Sequence, residues 1–411
     1  MRAFVPRKGI DADFVAWQLI CNERDVLEKT SKDGTTVASI EGPALASYRL
    51  AIAPSAEQKR IVAKLDELLS DLDAGVAELK AAQQKLQRYR QSLLKAAVEG
   101  ALTAEWRAKN PPTETSAELL QRILRERRAR WEEQQLAKFA AQGKAPPKGW
   151  KEKYPEPQPP KTEGLPVLPE GWVWANVAQL SPNDLANGRS VPTAAVGARV
   201  LRLNAVKNGK VDLAEFKVGE WSDEEARPFA VREGDLLIVR GNGSLSLVGR
   251  AGLVGPVDTQ VAYPDTLIRL GVVGSVASPA WLGLAWDSPF VRSHLERRAR
   301  TSAGIYKISQ PDIESVSIPI PPLEEQTEIL KMVGNLGDEI RNMEVALASA
   351  LTGSSAQRQN ILRAAFRGEL VPKDPNDEPA SVLLERLRAE RGGVVKPARV
   401  ERKSRKIRGA A

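Results

Sequence analysis

The sequence predicts an α+β protein: one mainly β globular region and a remnant of another, joined by two long helices forming an antiparallel coiled coil. Three observations carry this. One pattern occurs twice at a fixed offset, and each copy shows a single apolar seam at helical spacing. The stretch between the copies changes to short apolar runs broken by Gly, Pro and Asp. At 411 residues the chain has room for two or three units of roughly 100–200 residues.

The repeat is in fixed register. Ile52-Ala-Pro-Ser-Ala-Glu-Gln-Lys-Arg-Ile61 matches Ile320-Pro-Pro-Leu-Glu-Glu-Gln-Thr-Glu-Ile329 at an offset of 268, and Leu93-Leu-Lys-Ala-Ala-Val-Glu-Gly100 matches Ile361-Leu-Arg-Ala-Ala-Phe-Arg-Gly368 at the same offset. A gap-free spacer implies a rod whose length matters, because a loop tolerates insertions. In the first rod Ile61, Leu65, Leu68, Leu72, Gly75, Leu79, Ala82, Leu86, Tyr89 and Leu93 alternate steps of four and three. The second rod places Ile329, Val333, Leu336, Ile340, Met343, Leu347 and Ala350 likewise, with Ile361 at the place of Leu93. Pro54 and Pro322 suit a first helical turn, Glu57 and Glu325 then meet the positive end of the dipole, and Gly100 and Gly368 are placed to end the helices. Each rod is roughly 70 Å long at 1.5 Å per residue. Two equal rods, each with one seam, are best satisfied by antiparallel packing, and two unrelated amphipathic helices do not explain the equal lengths. Thr352-Gly-Ser-Ser355 makes the second seam polar, where fraying or a partner contact is expected.

Taken in order, residues 1–53 are the C-terminal remnant of a first globular region and 54–100 the first long helix. Residues 101–167 are a short helix and a Pro- and Lys-rich linker, 168–320 the full globular region, and 321–368 the second long helix. Residues 369–411 are a short helix and a basic disordered tail, Arg399–Arg408. The duplication reaches beyond the rods. Thr36–Pro43 aligns with Gly304–Pro311, and Ser116–Ile123 resembles Ala380–Leu387. Within 168–320, Asp235-Leu-Leu-Ile-Val239 and Thr266-Leu-Ile-Arg-Leu270 read as strands, while Ala280 to Arg297 reads as helical with a fresh turn at Ser288-Pro289.

Composition removes most chemistry. One cysteine, Cys21, forbids an intrachain disulfide, and one histidine, His294, leaves no Cys/His metal cluster. No Gly-rich phosphate loop precedes a Lys-Ser or Lys-Thr pair. Asn110-Pro-Pro-Thr113 resembles the motif with which adenine methyltransferases hold a flipped base, but Thr113 lacks the stacking ring, so it reads as a helix-ending turn. His294, beside Arg292 and Arg297, reads as a solvated surface residue rather than a base. No catalytic residue, metal site or cofactor of the chain's own is expected. The N-terminus has no apolar core of signal-peptide length, which gives a cytoplasmic expectation. The longest uncharged stretch, Leu270 to Trp286, falls short of the roughly 20 residues of a spanning helix and reads as buried strand and turn, so no membrane partner is expected.

The formal charge of +8, with 60 basic and 52 acidic residues, favours an acidic partner. The globular region itself is balanced, so phosphate contacts must be local. One candidate is the group Arg292, Arg297, Arg298, Arg300 and Lys307 around Thr301-Ser-Ala-Gly304. The other is Arg240-Gly-Asn-Gly-Ser-Leu-Ser-Leu-Val-Gly-Arg250, where glycines permit close approach, Arg can pair with guanine and Asn with adenine. The candidate DNA contacts are Arg240, Asn242, Ser244, Arg250, Arg297, Arg300, Tyr306 and Lys307.

With these residues in hand, the chain resembles the specificity subunit of a Type I DNA restriction–modification system. The resemblance rests on Leu168-Pro-Glu-Gly-Trp172, Gly234-Asp-Leu-Leu, Gly304-Ile-Tyr-Lys-Ile-Ser309, Pro321-Pro-Leu-Glu-Glu-Gln326 and Phe366-Arg-Gly-Glu-Leu370, in that order. It implies a non-catalytic reader of double-stranded DNA with two target-recognition domains held apart by the helix pair. It implies as partners DNA adenine methyltransferase subunits that carry S-adenosylmethionine, and a restriction-translocase subunit that uses ATP. The chain departs from the pattern by holding only 1–53 of a first recognition domain, which leads to the expectation of a truncated product or of a half-type subunit pairing with another chain. The competing reading is a coiled-coil scaffold or decoy that binds methyltransferase subunits without reading DNA.

Overall fold

The computed structural model describes residues 5–32, 39–181, 185–271 and 278–393. The tail Arg399–Arg408 and residues 36–38 of the aligned segment Thr36–Pro43 lie outside these. Along the chain run α1 (Ala12–Cys21), α2 (Glu23–Thr30), β1 (Ser31–Lys32), β2 (Ser39–Ile40), α3 (Gly42–Ala46), α4 (Ser55–Val98), α5 (Ala104–Lys109) and α6 (Ser116–Ala141). Then come β3 (Val173–Asn176), α7 (Val177–Leu180), β4 (Ala186–Asn187), β5 (Arg199–Leu201), β6 (Val206–Lys207), β7 (Lys210–Val211), β8 (Phe216–Val218), α8 (Asp223–Ala226), β9 (Leu236–Val239), β10 (Gly241–Asn242), β11 (Ala251–Leu253) and β12 (Leu267–Leu270). The chain continues with α9 (Pro279–Trp286), α10 (Pro289–Arg298), β13 (Arg300–Ser302), β14 (Ile305–Lys307), α11 (Gln310–Glu314), β15 (Ser317–Ile320), α12 (Leu323–Arg367) and α13 (Ala380–Gly393). Two compact units result, Met1–Gln84 with Glu344–Ala411, and Lys85–Met343.

The first unit packs the early turns of α4 against the late turns of α12, so the two helices run antiparallel. Ile61, Leu65 and Leu69 meet Leu362 and Ala365, with Phe14 of α1 against Phe366 edge to face at 5.3 Å. Arg60 and Asp377 form a two-pronged ion pair at 3.2 and 2.5 Å, and Arg358 pairs with Asp73. Of the seam positions in this unit, Ile61 and Leu65 are buried, Leu68, Leu72, Leu79, Leu347 and Ile361 half-buried. Thr352, Ser354 and Ser355 return their hydroxyls to the carbonyls of Ala348, Ala350 and Leu351, and α12 runs unbroken through them. Where fraying was expected the helix is continuous, and its hydroxyls are satisfied within it rather than by a partner.

In the second unit the late turns of α4 and the early turns of α12 join the core of the globular region, through Ala97, Val98 and Ile329. Leu93, Ile329 and Ile340 are buried, Leu86, Val333 and Leu336 half-buried, and Met343 is exposed. Both long helices end on glycines with φ of +74°, Gly100 and Gly368, a conformation only glycine adopts freely. The central sheet has strand order β4-β12-β9-β11-β7-β6, antiparallel except for β11 with β7. Strand β9 is buried on both faces, which explains its unbroken apolar run. Leu236 and Ile238 face Trp281, Trp286 and Ile268, and Leu237 and Val239 face Val231, Val261 and Tyr263. Strands β3 and β15 pair antiparallel and close the ends of the region together.

Two expectations are corrected here. Of the uncharged stretch, Leu270 closes β12 and the last eight residues are helix α9, as the helical reading from Ala280 onward expected and against the strand and turn read for the stretch as a whole. Helix α9 is started by Ser278 accepting from the Trp281 N–H at 3.2 Å and by Pro279 in the first turn. Trp281, Leu282, Ala285 and Trp286, at i, i+1, i+4 and i+5, lie on one helical face that is taken into the core. The helix at Ser116 is not short. It runs 26 residues from a Thr115–Glu118 capping box, and the Pro- and Lys-rich segment folds back on it rather than linking freely. Trp150 stacks on Trp131 at 5.9 Å, Arg127 donates to Tyr154 Oη at 2.6 Å, and Lys151 pairs with Glu132 at 2.8 Å.

Candidate nucleic-acid interface

The two candidate stretches, about sixty residues apart in sequence, meet in one small sheet of order β10-β14-β13. Asn242 lies opposite Tyr306, which lies opposite Thr301, and Gly241 lies opposite Lys307, which lies opposite Arg300. Directly opposed residues share a face, so Asn242, Tyr306 and Thr301 form one row and Lys307 and Arg300 the other. A Cβ on Gly241 would stand 3.3 Å from Lys307 Cγ, and its lack lets the lysine stem cross the strand. The β13–β14 turn is Ala303-Gly304 with φ of +48° and +76°. A left-handed alanine is rare, and here it keeps the exposed hairpin tip narrow.

Arg240 joins this sheet to the central one. Its N–H donates to Thr266 O at 2.9 Å and its carbonyl accepts from the Ile308 N–H at 3.0 Å. The half-buried side chain has no partner among the described residues. Asn242 Oδ1 accepts from the Ser244 N–H at 3.0 Å, an Asx turn that opens the loop, and Ser244 and Ser246 exchange a hydroxyl bond at 2.9 Å. Arg250 closes it, donating to Ser246 O at 3.0 Å and standing 3.8 Å from Asp287. Arg297, exposed, donates to Ser293 Oγ at 2.6 Å. Arg300 and Lys307 are exposed and Tyr306 is half-buried.

Two sequence assignments in this region are corrected. Arg292 is not a surface cation: it is 8% exposed and donates to Val248 O at 2.9 Å, Ser246 O at 3.2 Å and Glu296 at 3.1 Å. Burial, followed by the Arg250 charge, lowers its pKa from the ordinary value. Residue type alone places arginine outside, and nothing in the spacing signalled carbonyls waiting for it. His294 is half-buried, sharing a 3.2 Å bond between Nε2 and Ser315 Oγ. Desolvation, then the Arg298 charge, holds its pKa below the usual 6.5. Asn110 ends α5, as the turn reading required, with its Nδ2 donating to Trp106 O at 2.7 Å.

The sequence motifs acquire physical roles. Gly234, with φ of +83°, and Asp235, whose carboxylate accepts from the Arg232 N–H at 2.8 Å, build the turn that launches β9. Glu325 is 1% exposed and receives Thr103 Oγ1 at 2.6 Å, Arg107 Nε at 2.9 Å and Trp172 Nε1 at 2.8 Å, tying the motifs around Trp172 and Glu325 into one polar hub. Sequence reading gave this glutamate only a dipole role. Among the described residues no group of His, Cys, Asp and Glu is arranged to hold a metal, and no helix is long and apolar enough to cross a membrane.

Comparison with known proteins defines the class. Residues 293–351 match the family model for the Type I restriction modification DNA specificity domain. Over 368 residues the chain is 30% identical to the Type I restriction enzyme EcoKI specificity subunit of Escherichia coli, spanning 87% of this chain and 67% of that one. It is 27% identical to the StySPI specificity subunit of Salmonella potsdam, with the same coverage. The HsdS subunit from Thermoanaerobacter tengcongensis, a solved structure, aligns at 18% identity and a TM-score of 0.40 over 87% of this chain and 68% of that one. The chain therefore belongs to the specificity subunits of Type I restriction–modification systems, the non-catalytic DNA-specificity members of those complexes.

Proposed function

We propose that residues 168–320 form a target-recognition domain whose reading surface is the β10-β14-β13 sheet with the loop Asn242–Arg250. The observation that carries this is the meeting of both candidate stretches in one sheet. Arg240 and the Asn242 amide supply donors for base edges, with Ser244 and Tyr306 beside them, while Arg250, Arg297, Arg300 and Lys307 supply cations for phosphates. Such a surface binds double-stranded DNA and does no chemistry. Its partners on this reading are DNA adenine methyltransferase subunits that bring S-adenosylmethionine, together with a restriction-translocase subunit that uses ATP, all in the cytoplasm with the host DNA.

The test is binding of the complex with its methyltransferase subunits to the duplex whose methylation it directs, as found by methylation mapping in cells. Arg240→Ala should cost about 1–3 kcal/mol and relax one position of the site, while Lys307→Ala should weaken all sequences alike and lower the salt slope by about 1. Unchanged specificity in Arg240→Ala and Asn242→Ala alike would refute the assignment.

A further inference from the structure

The loop Gly243–Gly249 is exposed along much of its length, yet three of its carbonyls are taken by side chains. Arg292 reaches Val248 O at 2.9 Å and Ser246 O at 3.2 Å, Trp286 Nε1 reaches Gly249 O at 2.8 Å, and Arg250 Nε also reaches Ser246 O at 3.0 Å. Two of these three donors stand on α9 and α10, in the core, with Trp286 fully buried. Gly249, with φ of +71°, lies against Leu295 and the Arg292 guanidinium so closely that a Cβ there would be 2.9 Å from Leu295 Cδ1. The guanidinium thus enters from beneath the loop, and its Glu296 partner offsets part of the cost of burying the charge.

We propose that Arg292 is a positioning residue for DNA reading: its buried guanidinium fixes the carbonyls of Ser246 and Val248, and so the presentation of Asn242, Ser244 and Arg250, without touching DNA. This rests on the assignment of the loop to the DNA-facing surface. A planar fork spanning two carbonyls is a role lysine cannot fill, because its ammonium is a single point. A preorganised loop spends less of its contact energy on ordering, and that energy separates the right sequence from the wrong one.

The experiment uses the specificity subunit assembled with its methyltransferase subunits, the cognate duplex found by methylation mapping, and a scrambled duplex. Affinity for each is measured across a salt series for Arg292→Met, Arg292→Lys and Trp286→Phe. The inference expects the cognate-to-scrambled ratio to fall at least tenfold in Arg292→Met and less in Arg292→Lys. Trp286→Phe, which removes one donor and keeps a ring, should fall in the same direction. Assembly with the methyltransferase and the salt slope should stay as in the parent. A salt slope reduced by about 1 would mean that Arg292 contacts phosphate, and an unchanged ratio would mean that the loop needs no strut; either overturns the inference. So does loss of methyltransferase assembly in all three variants, which marks a merely structural role. Asn242→Ala separates the two levels: if it relaxes specificity while Arg292→Met does not, only the positioning role fails, and if it leaves specificity intact, the DNA-facing assignment fails and the positioning role with it.

Discussion

At the start of α4 the Gln58 side chain donates to Ala53 O at 2.8 Å, and at the start of α12 Gln326 donates to Pro321 O at the same 2.8 Å. Both glutamines are buried, and in both helices the backbone of that residue closes on a proline carbonyl at 2.9 Å, Pro54 or Pro322. The neighbours then diverge. Gln58 Oε1 accepts from the Asp11 N–H at 2.8 Å, while Gln326 Oε1 is buried with no partner among the described residues. Glu325 gathers three donors, whereas the equivalent Glu57 accepts no hydrogen bond among the described residues. A duplicated sequence has produced the same local cap twice, and the surroundings decide whether a carboxylate inside it becomes a hub.

The sharpest way to break this comparison is to remove the two carboxylates. Glu325→Ala strands a buried tryptophan N–H and a threonine hydroxyl and takes the carboxylate from Arg107, which keeps its bond to Gly100 O, and should cost about 3–5 kcal/mol by denaturant unfolding, with Glu57→Ala well below it. Equal losses would mean that the hub adds nothing to the cap. Leu65→Ala and Leu362→Ala, both fully buried between the helices, should each cost about 2–5 kcal/mol, and Met343→Ala, at 51% exposure, within about 0.5 kcal/mol. Gln58→Ala should exceed Gln326→Ala by about 1 kcal/mol, because only the first leaves the Asp11 N–H without its acceptor.

The smallest effect is a pH dependence. His294 is the sole histidine, and its folded pKa is depressed by burial. As pH falls below about 6.5 the unfolded chain takes up a proton that the folded chain refuses, so stability declines with falling pH until the folded pKa is reached. One imidazole NMR signal, titrating below 6.5, checks the shift, and His294→Gln should flatten that part of the stability profile.

The helix pair was legible because a gap-free repeat, a seam of apolar residues and terminal glycines are local signals. The interface was legible only as two separate stretches. That Asn242 opposes Tyr306 depends on pairing across a long connection, which no local pattern encodes. Arg292 and the folded-back segment around Trp150 were misread for one reason: arginine and Pro/Lys-rich composition read as solvated, and the carbonyls of the loop and the Trp131 ring that recruit them lie elsewhere in the chain. Leu69 and Leu362, both buried, stand one residue beyond the Leu68 and Ile361 of the sequence seam.

The central claim, that the β10-β14-β13 sheet and its loop read DNA, meets its most direct test in methylation mapping of cells carrying the partner genes with either the parent chain or Asn242→Ala. The expected result is the same methylated motif with one position relaxed in the variant. An identical motif at full occupancy, with Arg240→Ala behaving the same way, would contradict it.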